Sequence, residues 1–261
     1  MTPGAGPVAL RPARFDAVIF DMDGVITDTA EVHAAAWTRL FDGYLAERSG
    51  RTGDAQERPF DADDYRRFVD ERSRQDGVRG FLASRGIHLP EGEPDDPPGR
   101  ETVRGLGNRK DRDFVAVLRQ QGARPFGSSV ALVRALRAAG VATAVISASR
   151  NALEVLEAAG VADLFDARVD GAVAGRLGLP GKPDPAVFLE AAARLGVDPA
   201  RAVVVEDALA GVEAGRRGGF GLVIGVDRTG RAEAMREHGA HVVVDDLDQV
   251  HLEPGDEDVR P

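Results

Sequence analysis

Five short apolar runs constrain this chain more than any other feature: Ala17–Phe20, Val141–Ile146, Val203–Val205, Leu222–Ile224 and Val242–Val244. None alternates with polar residues, so each suits a strand buried on both faces rather than one with a wet side. Helical patterns separate them. Ser128–Ala139 opens with serines in capping position and closes at Gly140, and Asn151–Ala159 has an Asn cap and closes at Gly160. Asp184–Leu195 has Asp at the cap, Pro185 at the first helical position and Gly196 past the end. Strand–helix alternation over 125–245 predicts an α/β fold, a doubly wound, Rossmann-like parallel sheet.

The stretch 32–124 breaks this rhythm. It is helical and polar in pattern, holds no convincing buried strand, and lies between the first strand and the rest of the sheet. That is the place of an inserted helical domain, with 14–31 and 125–250 forming the core. Within the insertion, residues 86–104 read as a loop rich in Pro, Gly and acids. Residues 1–13 and 251–261 read as flexible termini, the last of them acidic.

Composition narrows the partners. A net charge of −10 argues against nucleic acid or an anionic membrane. It leaves a phosphate substrate open, because a metal and a few cations can invert the field of one pocket. The absence of cysteine excludes disulfides, thiolate metal sites and a cysteine nucleophile. The first residues contain no apolar leader core, and no segment approaches the ~18 apolar residues of a membrane span, so a cytoplasmic protein is expected. Of the 33 basic residues only two are lysine, Lys110 and Lys182. In a chain so biased toward arginine, a retained lysine marks a place that needs a compact ammonium.

Chemistry gathers at the strand ends. Asp21-Met22-Asp23-Gly24 follows the first run directly, where ligands collect in open α/β sheets. Two acids one residue apart can divide the work of nucleophile and proton carrier, although a lone pair of this kind is also a common strand turn. Glu206-Asp207 ends the Val203–Val205 run, and hard oxygen ligands from two strand ends suit Mg²⁺. Ser147-Ala148-Ser149 ends a third run just ahead of the helix start at Asn151, offering hydroxyl and N–H groups to phosphoryl oxygens. Lys182, in Gly181-Lys182-Pro183-Asp184, adds a cation before another helix.

Together and in this order the four segments resemble the haloacid dehalogenase superfamily, over roughly 14–245. The resemblance implies that Asp21 is a nucleophile forming an aspartyl-phosphate and Asp23 a general acid and base. It implies that Ser147 binds the transferring phosphoryl group, that Lys182 neutralises it, and that Glu206 and Asp207 complete a Mg²⁺ site with Asp21 and the Asp23 backbone carbonyl. Gly24–Glu31 with His33 and Trp37 resembles the β-phosphoglucomutase branch, in which the helical insertion is a cap carrying specificity. By that likeness His33, Trp37, Arg74 and Lys110 from the cap, and Thr29, Ala148, Ser149, Arg150 and Asn151 from the core, bind substrate. A half-buried helix histidine and a solvated helix face are the alternatives for His33 and for Arg74 and Lys110. The sequence departs from the branch at Asp111, where an asparagine is usual, at Arg150, where a lysine is usual, and in the long 86–104 loop. The implied reaction interconverts β-D-glucose 1-phosphate and glucose 6-phosphate, with glucose 1,6-bisphosphate as priming donor. A sugar-phosphate phosphatase is the alternative, and a non-catalytic sugar-phosphate-binding module a third. The expected partner is a small phosphosugar and the expected state a monomer.

Overall fold

The structure is a computed structural model that describes residues 8–53, 58–69 and 72–253. The chain divides into two compact units, Met1–Asp28 with Ala123–Pro261, and Thr29–Gly122. In chain order the first unit supplies β1 (Val8–Leu10), β2 (Ala17–Asp21) and β3 (Thr27–Asp28). The second unit is α1 (Ala30–Thr52), α2 (Ala62–Asp64), α3 (Arg74–Ser84) and α4 (Val103–Gln121). The chain then returns to the first unit through β4 (Arg124–Pro125), α5 (Gly127–Ala138), β5 (Ala142–Ile146), α6 (Ala152–Ala158), β6 (Ala167–Val169) and α7 (Gly171–Leu177). It continues with α8 (Ala186–Leu195), β7 (Ala202–Glu206), α9 (Leu209–Arg217), β8 (Leu222–Val226), α10 (Ala232–His238), β9 (Val242–Val244) and β10 (Val250–Leu252).

Six strands of the first unit form one parallel sheet in the order β6-β5-β2-β7-β8-β9. The expected α/β fold with a doubly wound parallel sheet holds. Connections run outward on one side from β2 to β5 and β6, then on the other from β7 to β8 and β9, so the topological switch falls at β2. Register aligns the strand ends, with Asp21 opposite Ile146 and Phe20 opposite Val205. Every residue of β2 is buried. Ala17 and Ile19 pack with Ala144, Val204, Phe188 and Val212 on one face, and the equally buried Val18, Phe20, Val203 and Val205 take the other by the pleat. This double burial is why the runs carry no polar alternation.

Several local expectations need correction. Residues 8–10 and 251–252, expected in flexible termini, belong to the parallel strands β1 and β10, which pair Val8 with Val250 and Leu10 with Leu252. The edge strand β6 was not anticipated, because it is three residues long and its middle one is Arg168. The expected serine cap of α5 and Asn cap of α6 make no capping hydrogen bond from the cap side chain. Ser129 Oγ instead donates to the Val25 carbonyl at 2.5 Å, and Ser149 Oγ accepts from the Asn151 N–H at 3.1 Å.

In the second unit all described regular structure is helical. Its core is aromatic: the Phe81 ring lies 4.1 Å from that of Phe41 and 5.1 Å from that of Phe60, and Trp37 stacks on Phe41 at 5.2 Å. The 86–104 loop ends earlier than expected, since α4 starts at Val103 with the Thr102 hydroxyl as its cap. Asp96, buried in that loop, accepts from Thr102 Oγ1 at 2.6 Å and from the Glu93 N–H at 3.1 Å. Internal hydrogen bonds thus replace regular structure in a segment too rich in proline to form it. Phe81→Ala is expected to destabilise the second unit by about 3–5 kcal/mol through loss of buried area and the cavity left behind. Urea denaturation followed by a fluorescence probe of Trp37 checks this.

Candidate active site

The carboxyl ends of β2, β5 and β7, with the loop before α8, bear the candidate site residues of the first unit. Asp21 is the last residue of β2 and is 6% exposed. The chain turns sharply after Asp23: Gly24 takes φ of +81°, and its N–H donates to the Thr27 carbonyl at 2.9 Å. A β-carbon at Gly24 would overlap Asp207 Oδ2, so only glycine lets the Asp207 carboxylate lie against the turn that bears Asp23. Ser147 Oγ is 3.4 Å from Asp23 Oδ2 and accepts from the Ser149 N–H at 3.0 Å. The Ser147–Ser149 loop is held from below, its Ser149 carbonyl accepting from the Gly171 N–H at 3.0 Å. Ala148 and Arg150 are exposed, while Ser149 and Asn151 are half-buried.

Lys182 ties two strand ends together. Its ammonium donates to Asp21 Oδ1 and to Glu206 Oε1. Glu206 is fully buried, and its second oxygen accepts from the Ala208 N–H at 2.8 Å. Burial alone would lower the lysine pKa, but the two carboxylates outweigh it and the net shift is upward, so Lys182 stays an ammonium. Burial pushes the Asp21 carboxyl well above the usual range, with Glu206, Asp207 and Asp23 adding to the rise against Lys182. Burial and the Glu206 charge likewise raise Asp207 to about 7. One lysine therefore does not suffice to hold the whole acidic set ionised.

Thr29, His33, Trp37, Arg74 and Lys110 all belong to the second unit. Lys110 is only 5% exposed, which rules out a solvated helix face. Its Nζ is 2.8 Å from His33 Nδ1, and it lies 4.9 Å from the Phe114 ring and 5.4 Å from that of Trp37. Burial first, and then the Lys110 charge, lower the His33 pKa to about 3. An ammonium has only donors, so Nδ1 accepts and the neutral ring carries its proton on Nε2. Trp37, 5% exposed, is a packed member of the aromatic core. Arg74 forms an ion pair with Asp111, the residue that departs from the expected asparagine. Thr29 is buried at the head of α1, its carbonyl accepting from the His33 N–H at 2.9 Å.

Residues 15–219 match the haloacid dehalogenase-like hydrolase family. The chain belongs to that family. Over 240 residues it is 50% identical to a β-phosphoglucomutase of Mycobacterium bovis, covering 90% of this chain and 91% of the relative. A β-phosphoglucomutase of Bacillus subtilis is 32% identical over 238 residues, covering 91% and 92%. Among solved structures, a β-phosphoglucomutase from Clostridium difficile superposes with a TM-score of 0.67 at 27% identity, covering 90% of this chain and 92% of that one. This haloacid dehalogenase-like chain is accordingly an enzyme of the family.

Family membership implies Mg²⁺ dependence in general. Among the described residues no three acidic side chains already converge as a metal cage. The donor chemistry nonetheless fits, because Mg²⁺ keeps several waters and needs only one or two carboxylates, and burial and neighbouring acids push the Asp21 and Asp207 carboxyls toward their protonated forms, a cost that a bound cation would relieve. Glu206 is differently placed, with both oxygens engaged by Lys182 and Ala208.

Two contributors escaped the sequence reading. A β-carbon at Gly211 would overlap Glu206 Oε1, so this glycine is what lets α9 pass over the buried carboxylate. Arg228, in the loop after β8, donates from Nε to the Gly24 carbonyl at 3.0 Å. Neither carries a local motif; a run of small residues after Asp207 was the one visible trace of the first.

Two outcomes follow from this geometry. Gly24→Ala forces the turn and Asp207 apart, and a displacement of ~1 Å in such a site costs on the order of 10²-fold in kcat/KM; steady-state turnover of a sugar phosphate measures it. For His33, the folded pKa of about 3 lies below the unfolded value of 6.5, so the contribution to stability is intact above pH 6.5 and is lost as pH falls toward 3. Nitrogen NMR of the ring is expected to show the neutral Nε2–H form with no titration between pH 8 and about 4.5, and in Lys110→Met a pKa moved upward.

Proposed function

We propose that this enzyme is a β-phosphoglucomutase, converting β-D-glucose 1-phosphate to glucose 6-phosphate through the 1,6-bisphosphate. The observation that carries the reading is the 50% identity to a β-phosphoglucomutase across nine tenths of both chains, with Asp21, Asp23, Ser147 and Lys182 all in place. Glucose 1,6-bisphosphate is the priming donor that leaves Asp21 phosphorylated. The 6-hydroxyl oxygen of glucose 1-phosphate then attacks that phosphorus, the bond to the Asp21 oxygen breaks with its electron pair returning to the carboxylate, and the hydroxyl proton passes to Asp23. After the bisphosphate reorients, an Asp21 oxygen attacks the phosphorus at C1. The bond to the anomeric oxygen breaks, the electron pair leaves with that oxygen, and Asp23 returns the proton. Asp21 is phosphorylated again and glucose 6-phosphate leaves.

The remaining roles follow from residue chemistry. Ser147 Oγ and the N–H groups of Ala148 and Ser149 hold the transferring phosphoryl oxygens, and Lys182 balances their charge as P–O bonds loosen. Asp21, Asp207 and the Asp23 carbonyl would hold Mg²⁺, with Glu206 joining by exchanging its ammonium contact. Bound there, the metal supplies positive charge against the equatorial oxygens. In the second unit Arg74 and Lys110 are the candidate cations for the substrate's other phosphate, and Thr29, the Nε2–H of His33 and Trp37 the candidate sugar contacts; in the first unit Arg150 and Asn151 are further candidate donors to substrate. The alternative is a sugar-phosphate phosphatase, in which water rather than a sugar hydroxyl takes the phosphoryl group.

Supplying β-glucose 1-phosphate, Mg²⁺ and a trace of glucose 1,6-bisphosphate separates the two. Glucose 6-phosphate is the expected product; glucose and free phosphate without it overturn the mutase reading. Asp21→Asn is expected to lower turnover by more than about 10³-fold with the fold intact by circular dichroism.

A further inference from the structure

Three successive carbonyls follow Asp23, and each is held by a donor from a distant part of the first unit. The Val25 carbonyl accepts from Ser129 Oγ at 2.5 Å, and the Ile26 carbonyl from the Phe126 N–H at 2.9 Å. The Gly24 carbonyl, next to Asp23 itself, accepts from Arg228 Nε at 3.0 Å. Ser129 and Phe126 belong to the start of α5 and anchor the far half of the turn. Arg228 reaches its near half, against which the Asp207 carboxylate also lies.

The arginine is itself fixed from three directions. Nη1 donates to Asp246 Oδ2 at 3.0 Å, and the guanidinium carbon sits 4.0 Å from the Phe126 ring centroid. The loop that carries it is pinned by Asp227, whose Oδ1 accepts from the Thr229 N–H at 3.1 Å and the Arg231 N–H at 2.8 Å. Stability alone is a weak reason for this arrangement. The Arg228 and Asp246 side chains are 22% and 34% exposed, and Arg228 Nη2 is buried with no hydrogen-bond partner, which costs rather than stabilises. What the guanidinium does hold is the Gly24 carbonyl, one residue after Asp23.

We propose that Arg228 is a positioning residue for proton transfer. By holding the Gly24 carbonyl it keeps the Asp23 carboxyl, once it has taken a proton, where it can protonate a sugar leaving oxygen, while contributing little to the attack by Asp21. The proposal rests on the reading of Asp21 as nucleophile and Asp23 as proton carrier. It separates two reactions of the same nucleophile. Acetyl phosphate expels acetate, which leaves without a proton, whereas a sugar phosphate expels an alkoxide that needs one.

The test compares Arg228→Met, which keeps the side-chain length but no donor, with wild type and with Arg228→Lys. For β-glucose 1-phosphate with bisphosphate, Arg228→Met is expected to lower kcat by about 30-fold with KM within about twofold. Phosphorylation of Asp21 by acetyl phosphate, followed by intact-protein mass spectrometry, is expected to slow by less than about threefold. Arg228→Lys recovers part of the lost kcat, since an ammonium can still donate to the Gly24 carbonyl. Asp246→Asn, which loosens the arginine without removing it, shows the same split at smaller amplitude and serves if Arg228→Met does not fold. Equal losses in both reactions, or no loss in either, overturn the proposal. If wild type turns over the sugar phosphate but never carries phosphate on Asp21, the aspartyl-phosphate reading itself falls and takes this proposal with it.

Discussion

The ammonium of Lys182 between Asp21 and Glu206 is the contact on which the rest of the site depends. Two carboxylates from neighbouring strand ends, both deeply buried, would repel each other and refuse ionisation without a counter-charge. The lysine supplies it from the loop before α8, and so links β2, β7 and that loop in a single electrostatic unit. Glu206 can be fully buried because its other oxygen is met by the Ala208 N–H and because Gly211 leaves room for it. The parallel sheet brings the strand ends level; the lysine makes their shared burial affordable.

A second ammonium organises the inserted unit on the opposite logic. Lys110 lies against aromatic rings and His33, and its charge adds to the larger effect of burial in keeping the imidazole neutral. The two lysines of an arginine-rich chain thus sit at two distinct polar centres, one among carboxylates and one among rings. The ammonium of Lys182 meets both carboxylates from one point, whereas a guanidinium would present a planar fork there, and beside His33 it would bring several N–H donors where Nδ1 accepts one.

Much of this was legible in the amino-acid order, for a definite reason. A strand buried on both faces must be continuously apolar, so β2, β5, β7, β8 and β9 announced themselves, and the acids that end β2 and β7 stood out against them. Short elements with mixed composition, such as β6 and the pair β1 and β10, did not, since three residues carry too little pattern. Caps were misread at α5 and α6, where the serines serve the Val25 carbonyl and the Asn151 N–H.

What the sequence determined by itself was therefore the α/β class, the strand ends bearing Asp21, Ser147 and Glu206, and the chemical kind of each group, because periodicity and residue type are local properties. What only the tertiary structure decided was who touches whom. Glu206 turned out to be engaged by Lys182, Arg74 to be paired with Asp111, and Lys110 to be buried against His33. Arg228 reaches Gly24 across 204 positions of chain. No local pattern encodes such pairings: in the first unit parallel strands brought into register carry distant loops to one end of the sheet, and in the second the packing of helices brings Lys110 to His33 and Arg74 to Asp111.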